Sequence, residues 1–348
     1  MREITEIKSI NFKLTLKGRG IVNCESNENY YWVKNNNFTP AKKNIYPDRF
    51  FFKDSSYCIK HAIYDSMGLS YVPANIRLFP ELFYGEYLTS PAILLRGCAE
   101  LNSKGRNKRK SPVGITDAEE IGEGHPVVNN RPQCNFELHT RSGYKNTDDT
   151  NSKDTTLFFR EETGDITTVA QCWIDVEELQ FISADDIYDR MYLDTDGGVY
   201  EELFLDGLKK NLKYAEDERP ELKAYKIFNS IAGDAYAERG ILLNHASVDM
   251  LVKMALKSIL NLSIKSSNAY RNAVPSLTLE IRTAHGCETV EVTPDNIDEF
   301  TFVPYAKYTE VDYSEIIKRR EAFKAMSTSK EEKKPSKRSA SKTSNIEE

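Results

Sequence analysis

Nothing in the 348 residues approaches the roughly 18 consecutive apolar positions that a membrane-spanning helix requires, which excludes a helical membrane protein. The opening MREITEIKSINFKL carries Glu3 and Glu6 and lacks the apolar stretch of an export signal, so the expected compartment is the cytoplasm. Cysteine is sparse: Cys24, Cys58, Cys98, Cys134, Cys172 and Cys287 form no C-x-x-C pair and no regular spacing. That argues against a zinc site and a disulfide framework and leaves reduced thiols as the expectation. The five histidines (His61, His125, His139, His245, His285) include no pair at helical ligand spacing, and neither H-E-x-x-H nor G-x-S-x-G occurs. Lys110-Ser111 lacks the glycines of a phosphate-binding loop, and Asp194 to Gly198 lacks the further acidic positions of a calcium loop. Asp185, Asp186 and Asp189 read as an acidic solvent-facing turn in preference to a metal site. These absences point to a non-catalytic binding protein with no cofactor.

What is present is charge, unevenly spread. Residues 1–113 hold 18 basic and 10 acidic side chains, while residues 114–317 hold 19 and 38, so a net charge of −6 conceals a basic first third. Such asymmetry points to a polyanionic partner. Its densest part is NSKGRNKRKSP, in which Lys104, Arg106, Lys108, Arg109 and Lys110 fall within seven positions and read as a flexible basic loop. With 40% hydrophobic and 11% aromatic residues the chain buries a substantial core. Residues 1–326 are read as a single domain. Residues 327–348, dense in Ser, Lys and Glu, are expected to form a disordered basic tail.

Periodicity supplies the elements. Phe12, Leu14 and Leu16 alternate with Lys13, Thr15 and Lys17, the signature of a strand with one buried and one basic face. DSSYCIKHAIYDSMG reads as a short helix begun by Asp54, Ser55 or Ser56 and stopped at Gly68. The apolar run SPAILLRGCAEL predicts a buried strand leading into the basic cluster. GITDAEEI, NFELHTRSG, DTTLFFREE, GDITTVAQCWIDVEELQFIS and SLTLEIRTA predict further strands, with turns at Gly143 and Gly164. In NHASVDMLVKMALKSILNLS, the residues Val248, Leu251, Val252, Ala255, Ile259 and Leu262 make the apolar stripe of a long helix. Strands and two helices without a regular βα repeat indicate an α+β fold, not a doubly wound parallel one.

The segments INFKLTLKGRGIVN, SYCIKHAIYD, SPAILLRG with NKRKSPVGITDAEE, FELHTRSG, TTLFFREE and ELQFISADDIYDR together resemble the backbone subunit of type I CRISPR Cascade complexes. This is the Cas-seven family of the RAMP superfamily, with the minimal type I-F variant nearest. The resemblance implies a modified RRM-like, ferredoxin-like palm with helices on one side of an antiparallel sheet. Inserted finger and thumb elements are implied about residues 26–53 and 100–165. It implies copies assembled head to tail along a CRISPR RNA, a target DNA strand reached through pairing with that guide, other Cascade subunits as partners, and no nuclease activity.

The RNA-binding set so implied is Lys17, Arg19, Asn23, Lys60, His61, Arg96, Lys104, Arg106, Lys108, Arg109, Lys110 and Arg141. The RRM's own stacking signature, K/R-G-F/Y-G/A-F-V-x-F/Y, is absent. Backbone gripping is therefore expected in place of base stacking. Two other readings stand beside this one: an RRM-like RNA-processing endonuclease using His61 or His139, and a nucleocapsid-like protein that coats RNA.

Overall fold

A computed structural model describes residues 2–19, 30–33, 37–40, 49–50, 53–69, 76–101, 106–122, 125–128, 131–132, 137–141, 159–163, 165–184, 199–227, 237–265, 270–314 and 317–318. Its organising element is the first strand, Arg2–Arg19, long enough to carry several partners along its length. On one side it pairs antiparallel with Asp165–Asp175 over Ser9 to Arg19. On the other it pairs antiparallel with Leu277–Thr283 and, further along, with Tyr270–Ala273. Asp165–Asp175 in turn pairs antiparallel with Val113–Ile115 and Ala118–Glu120.

In chain order this is strand Arg2–Arg19, helix Ser56–Ser66, the broken strand Val113 to Glu120, strand Asp165–Asp175, helix His245–Leu260 and strand Leu277–Thr283. Numbering the four strands in that order gives a sheet order of 4-1-3-2. That is the βαββαβ arrangement of an RRM-like, ferredoxin-like palm. The expected α+β class with an antiparallel RRM-like palm holds.

Alternation decides the two faces. Ile10, Phe12, Leu14 and Leu16 of the first strand, Ile166, Thr168, Ala170, Cys172 and Ile174 of the third, and Leu277, Leu279 and Ile281 of the fourth all point inward. Both helices cover that face through Ile59 and Ile63 of the first and Val248, Leu251, Val252, Ala255 and Ile259 of the second. Near the strand's start, Ile4 and Ile7 also point inward because the register shifts on both sides of Ile7. Glu6, with φ of 56°, sits in that irregular stretch.

The second helix follows its sequence signals: Asn244 accepts the Ser247 amide at 2.9 Å as N-cap. Beyond the palm, Phe181–Ser183, Ala237–Leu242, Leu222–Ile227 and Tyr308–Val311 form a four-stranded antiparallel sheet. Phe181 stacks on Tyr308 there, with ring centroids 4.6 Å apart.

Several expectations are corrected. Pro91–Arg96 is a helix and not a strand: Ser90 caps it by accepting the Ile93 amide, Pro91 occupies its first turn, and Gly97 ends it with φ of 72°. A Cβ at Gly97 would fall 2.4 Å from the Arg109 carbonyl, so only glycine lets the chain turn back so tightly. GDITTVAQCWIDVEELQFIS is two strands separated by the short helix Val176–Gln180. A third substantial helix, Val199–Asn211, joins the two predicted ones. Cys172 is a buried free thiol, pushed up to about 12 by burial, whereas Cys58 is disulfide-bonded, so the expectation of reduced thiols fails at that position. Among the described residues no helix is long and apolar enough to cross a membrane. The tail 327–348, Gly143, Gly164 and the acidic positions 185–198 lie outside the described residues, as do large parts of 26–53 and 100–165.

Candidate nucleic-acid interface

The first helix carries two faces by its spacing. Cys58, Ile59 and Ile63 pack inward, while Tyr57, Lys60, His61, Tyr64 and Asp65 follow one another at i, i+3, i+4, i+7 and i+8 along the other flank. These five, with Leu69 and Arg96, line a cleft of about 230 Å³. Tyr57 is 63% exposed at its rim, His61 and Arg96 are exposed, and Lys60 is half-buried. Arg96 arrives from the last turn of the capped helix Pro91–Arg96.

Tyr64 ties the two helices together by donating its hydroxyl to the Leu95 carbonyl. Burial pushes that hydroxyl up to about 12, against the opposing effects of a hydrogen bond with Ser111 and the Arg96 charge, so it stays protonated. Lysine and arginine side chains, one imidazole and one exposed aromatic ring, facing the carboxylate of Asp65, form a surface suited to phosphate and sugar.

Lys110 is exposed, and its backbone packs against Gly97, the residue after Arg96. Arg109 is the main correction. It belongs to the hairpin Cys98–Leu101 with Arg106–Arg109, where strand alternation turns it away from its two lysine neighbours. It is only 6% exposed. Its guanidinium donates to the carbonyls of Leu94 at 3.1 Å, Phe181 at 2.7 Å, Leu179 at 3.0 Å and Glu178 at 3.3 Å. Leu94, Glu178 and Leu179 lie in the last turns of two helices, where carbonyls lack intrahelical partners. Arg109 therefore satisfies the protein's own backbone and is not available to RNA. The flexible loop expected here is, at its described ends, a paired hairpin.

Lys17 and Arg19 lie elsewhere. Both are exposed on the sheet face opposite the helices, Lys17 in a shallow cleft with Asp165, Thr167, Tyr270 and Asn272. The cations of the first third thus divide between the helix-side cleft and the open sheet face. Lys108 is half-buried. Asn23 and Lys104 lie outside the described residues, and Arg106 and Arg141 are described in their backbone strands only.

Sequence reasoning missed the exposed aromatics Tyr57, Trp173 and Tyr270, which are 63%, 42% and 45% exposed. The signal for Trp173 was legible: in AQCWID it shares parity with Gln171, not with the apolar Ala170, Cys172 and Ile174. One buried arrangement holds the two surfaces together. Arg271, 1% exposed, donates from Nε to Asp54 at 3.1 Å, and Thr168 donates to the same carboxylate oxygen at 2.7 Å.

An RRM-like palm with a cationic, aromatic-rimmed cleft on its first helix defines the class of protein. The family model described as type I-Fv CRISPR-associated protein Cas7fv-like matches residues 52–312, three quarters of the 348. The chain belongs to this family and is a CRISPR-associated type I protein. The matched region begins after the first strand, so the palm's central element is assigned by its pairing alone. No curated protein matches the chain.

Proposed function

We propose that this chain is the non-catalytic backbone subunit of a type I CRISPR effector complex, holding the guide RNA by its ribose-phosphate chain. The observation that carries this reading is the convergence of Lys60, His61 and Arg96 on one cleft rimmed by Tyr57. Guide RNAs differ in sequence, so their carrier relies on phosphate and sugar contacts, which position a strand without reading it. Copies of the chain assemble head to tail along the guide and leave its bases to pair with a target DNA strand. The acidic residues 114–317 of one copy complement the basic first third of the next, a heterologous contact that grows instead of closing. The other subunits of the complex complete the assembly in the cytoplasm.

The test is RNA retention. Lys60→Ala combined with Arg96→Ala is expected to strip co-purifying RNA, read as the 260/280 nm absorbance ratio and by denaturing gel, while thermal unfolding stays unchanged. Wild-type protein is expected to leave a repeat-containing RNA uncut. Unaltered RNA content in the double variant, or cleavage that His61→Ala abolishes, would overturn the proposal.

A further inference from the structure

Trp173 has no part in the cleft described above. It stands on the third palm strand, on the face that the helices leave open, with Asn11 and Gly114 as its register partners. A tryptophan at the middle of a sheet ordinarily buries its ring, yet this one is 42% exposed. The reason lies in Gly114. A Cβ at that position would fall 1.9 Å from Cε2, 2.0 Å from Cζ2 and 2.5 Å from Cδ2 of the indole. The ring therefore seats one face on the glycine backbone and turns the other towards solvent.

The surroundings identify what that ring receives. Along the central two strands, Lys13 faces Gln171, Thr15 faces Val169, Lys17 faces Thr167 and Arg19 faces Asp165. Tyr270, 45% exposed, lies beside Arg19 at the far end, with Asn272 beside Lys17. Trp173 and the Asp165 row are eight residues apart, about 27 Å at the rise of a strand. Between the two aromatics this track holds amides, hydroxyls, Val169 and three cations against the carboxylate of Asp165, with Glu119 flanking Val169 from the next strand and paired with Lys53. Glu280 sits on the flank, beyond Asn11. A contact between protein copies calls for a broad apolar centre, which a single half-buried valine, Val169, among cations and polar side chains does not make. Single-stranded nucleic acid asks for cations along a backbone path and exposed rings for its bases.

We infer that Trp173 is a base-stacking platform for an unpaired nucleotide of a nucleic-acid strand laid along the open sheet face. The RRM signature is missing, but the geometry it serves, an exposed aromatic on the open face of the sheet, is present. This inference rests on the nucleic-acid reading above and extends it to a second surface. It departs from the expectation of backbone gripping in place of base stacking.

The experiment uses the full chain freed of nucleic acid at high salt. The chain has two tryptophans, so Trp32→Phe leaves Trp173 as the sole emitter. The probe is an oligouridylate of about 12 nucleotides, with an oligothymidylate of equal length as the DNA arm; site sizes of this order are usual for such grooves. Binding is followed by anisotropy of an end label and, separately, by indole emission. Saturable quenching of Trp173 is expected, with about tenfold weaker binding for Trp173→Leu and near-native binding for Trp173→Phe. The two variants are expected to share one unfolding midpoint. Equal quenching in both arms assigns the site to either strand, and quenching by RNA alone assigns it to the guide. Binding seen by anisotropy without quenching, and with the Leu variant unaffected, overturns the inference and leaves the proposed function standing. Absence of any binding overturns the function itself. A concentration-dependent emission change without oligonucleotide reassigns the face to contact between copies and overturns the inference.

Discussion

Replacing Arg109 by alanine removes a guanidinium held by four backbone carbonyls in a site only 6% exposed. Hydrogen bonds from a charged donor contribute about 1.5–3 kcal/mol each, and they do not add when one group makes them all. The alanine variant also takes the Arg109 guanidinium from carbonyls in two separate stretches of chain, Leu94 in one and Glu178, Leu179 and Phe181 in the other. A loss of about 4 kcal/mol is expected, a large share of the roughly 5–15 kcal/mol that a domain possesses. Arg109→Lys is expected to lose about 2–3 kcal/mol, since one ammonium cannot span acceptors disposed around a planar fork. Lys110→Ala, at the exposed neighbouring position, is expected to stay within about 0.5 kcal/mol of wild type. Urea unfolding followed by far-UV circular dichroism of the three variants decides the matter. An Arg109→Ala midpoint indistinguishable from that of Lys110→Ala would refute the structural role and return Arg109 to the RNA-binding set. Until Arg109 is left intact, RNA loss on changing the whole cluster reports unfolding as readily as lost contacts.

Arg271→Ala strands the buried Asp54 carboxylate and is expected to cost about 3–5 kcal/mol in denaturant unfolding, part of it recovered when Asp54→Asn is added. Burial pushes the Tyr64 hydroxyl up to about 12 from the ordinary tyrosine value of about 10, so its contribution is complete below about pH 10 and is lost as pH rises towards 12. Stability is thus expected to fall by about 1.4 kcal/mol between roughly pH 9 and 11 on its account, and Tyr64→Phe to flatten that part of the urea-midpoint profile. For guide-RNA binding, Lys60→Ala is expected to lessen the slope of log affinity against log salt by about 0.7, measured by filter binding over a range of salt concentrations.

The palm was largely readable because its strands obey simple parity: Phe12, Leu14 and Leu16 inward, Lys13 and Lys17 outward, as the register with Asp165–Asp175 shows. The two palm helices were readable from their caps and stripes. Pro91–Arg96 was misread because a short apolar run has no period of its own, although Ser90-Pro91 before it and Gly97 after it were helix signals. Arg109 was illegible for a different reason. Its acceptors lie 15 and about 70 residues away in the chain, and no local pattern shows which member of a cationic run faces inward. Val199–Asn211 offered acidic residues in its first turn and Lys209 and Lys210 in its last, a charge order that follows the helix dipole. The grouping of Lys60, His61 and Arg96 came through the resemblance, whereas the division of the cations between two surfaces needed the topology.

That division gives the buried Asp54, Thr168 and Arg271 group its significance. Asp54 stands two residues before the helix that carries Lys60 and His61, Thr168 belongs to the third palm strand, and Arg271 follows Tyr270 on the strand beside Arg19. An apolar contact at this point would tolerate sliding of helix against sheet. A shared carboxylate oxygen bonded at 2.7 and 3.1 Å accepts only one relative placement. Such buried ion pairs add little net stability, because desolvation offsets their attraction, and their effect here is on geometry. The cleft on the helix side and the track on the open face are therefore held at a fixed spacing across the sheet. On the function proposed above, a strand of nucleic acid engaging both would meet a rigid frame, and the ordering cost of association would fall on the nucleic acid and the side-chain ends, with little left for the backbone to supply.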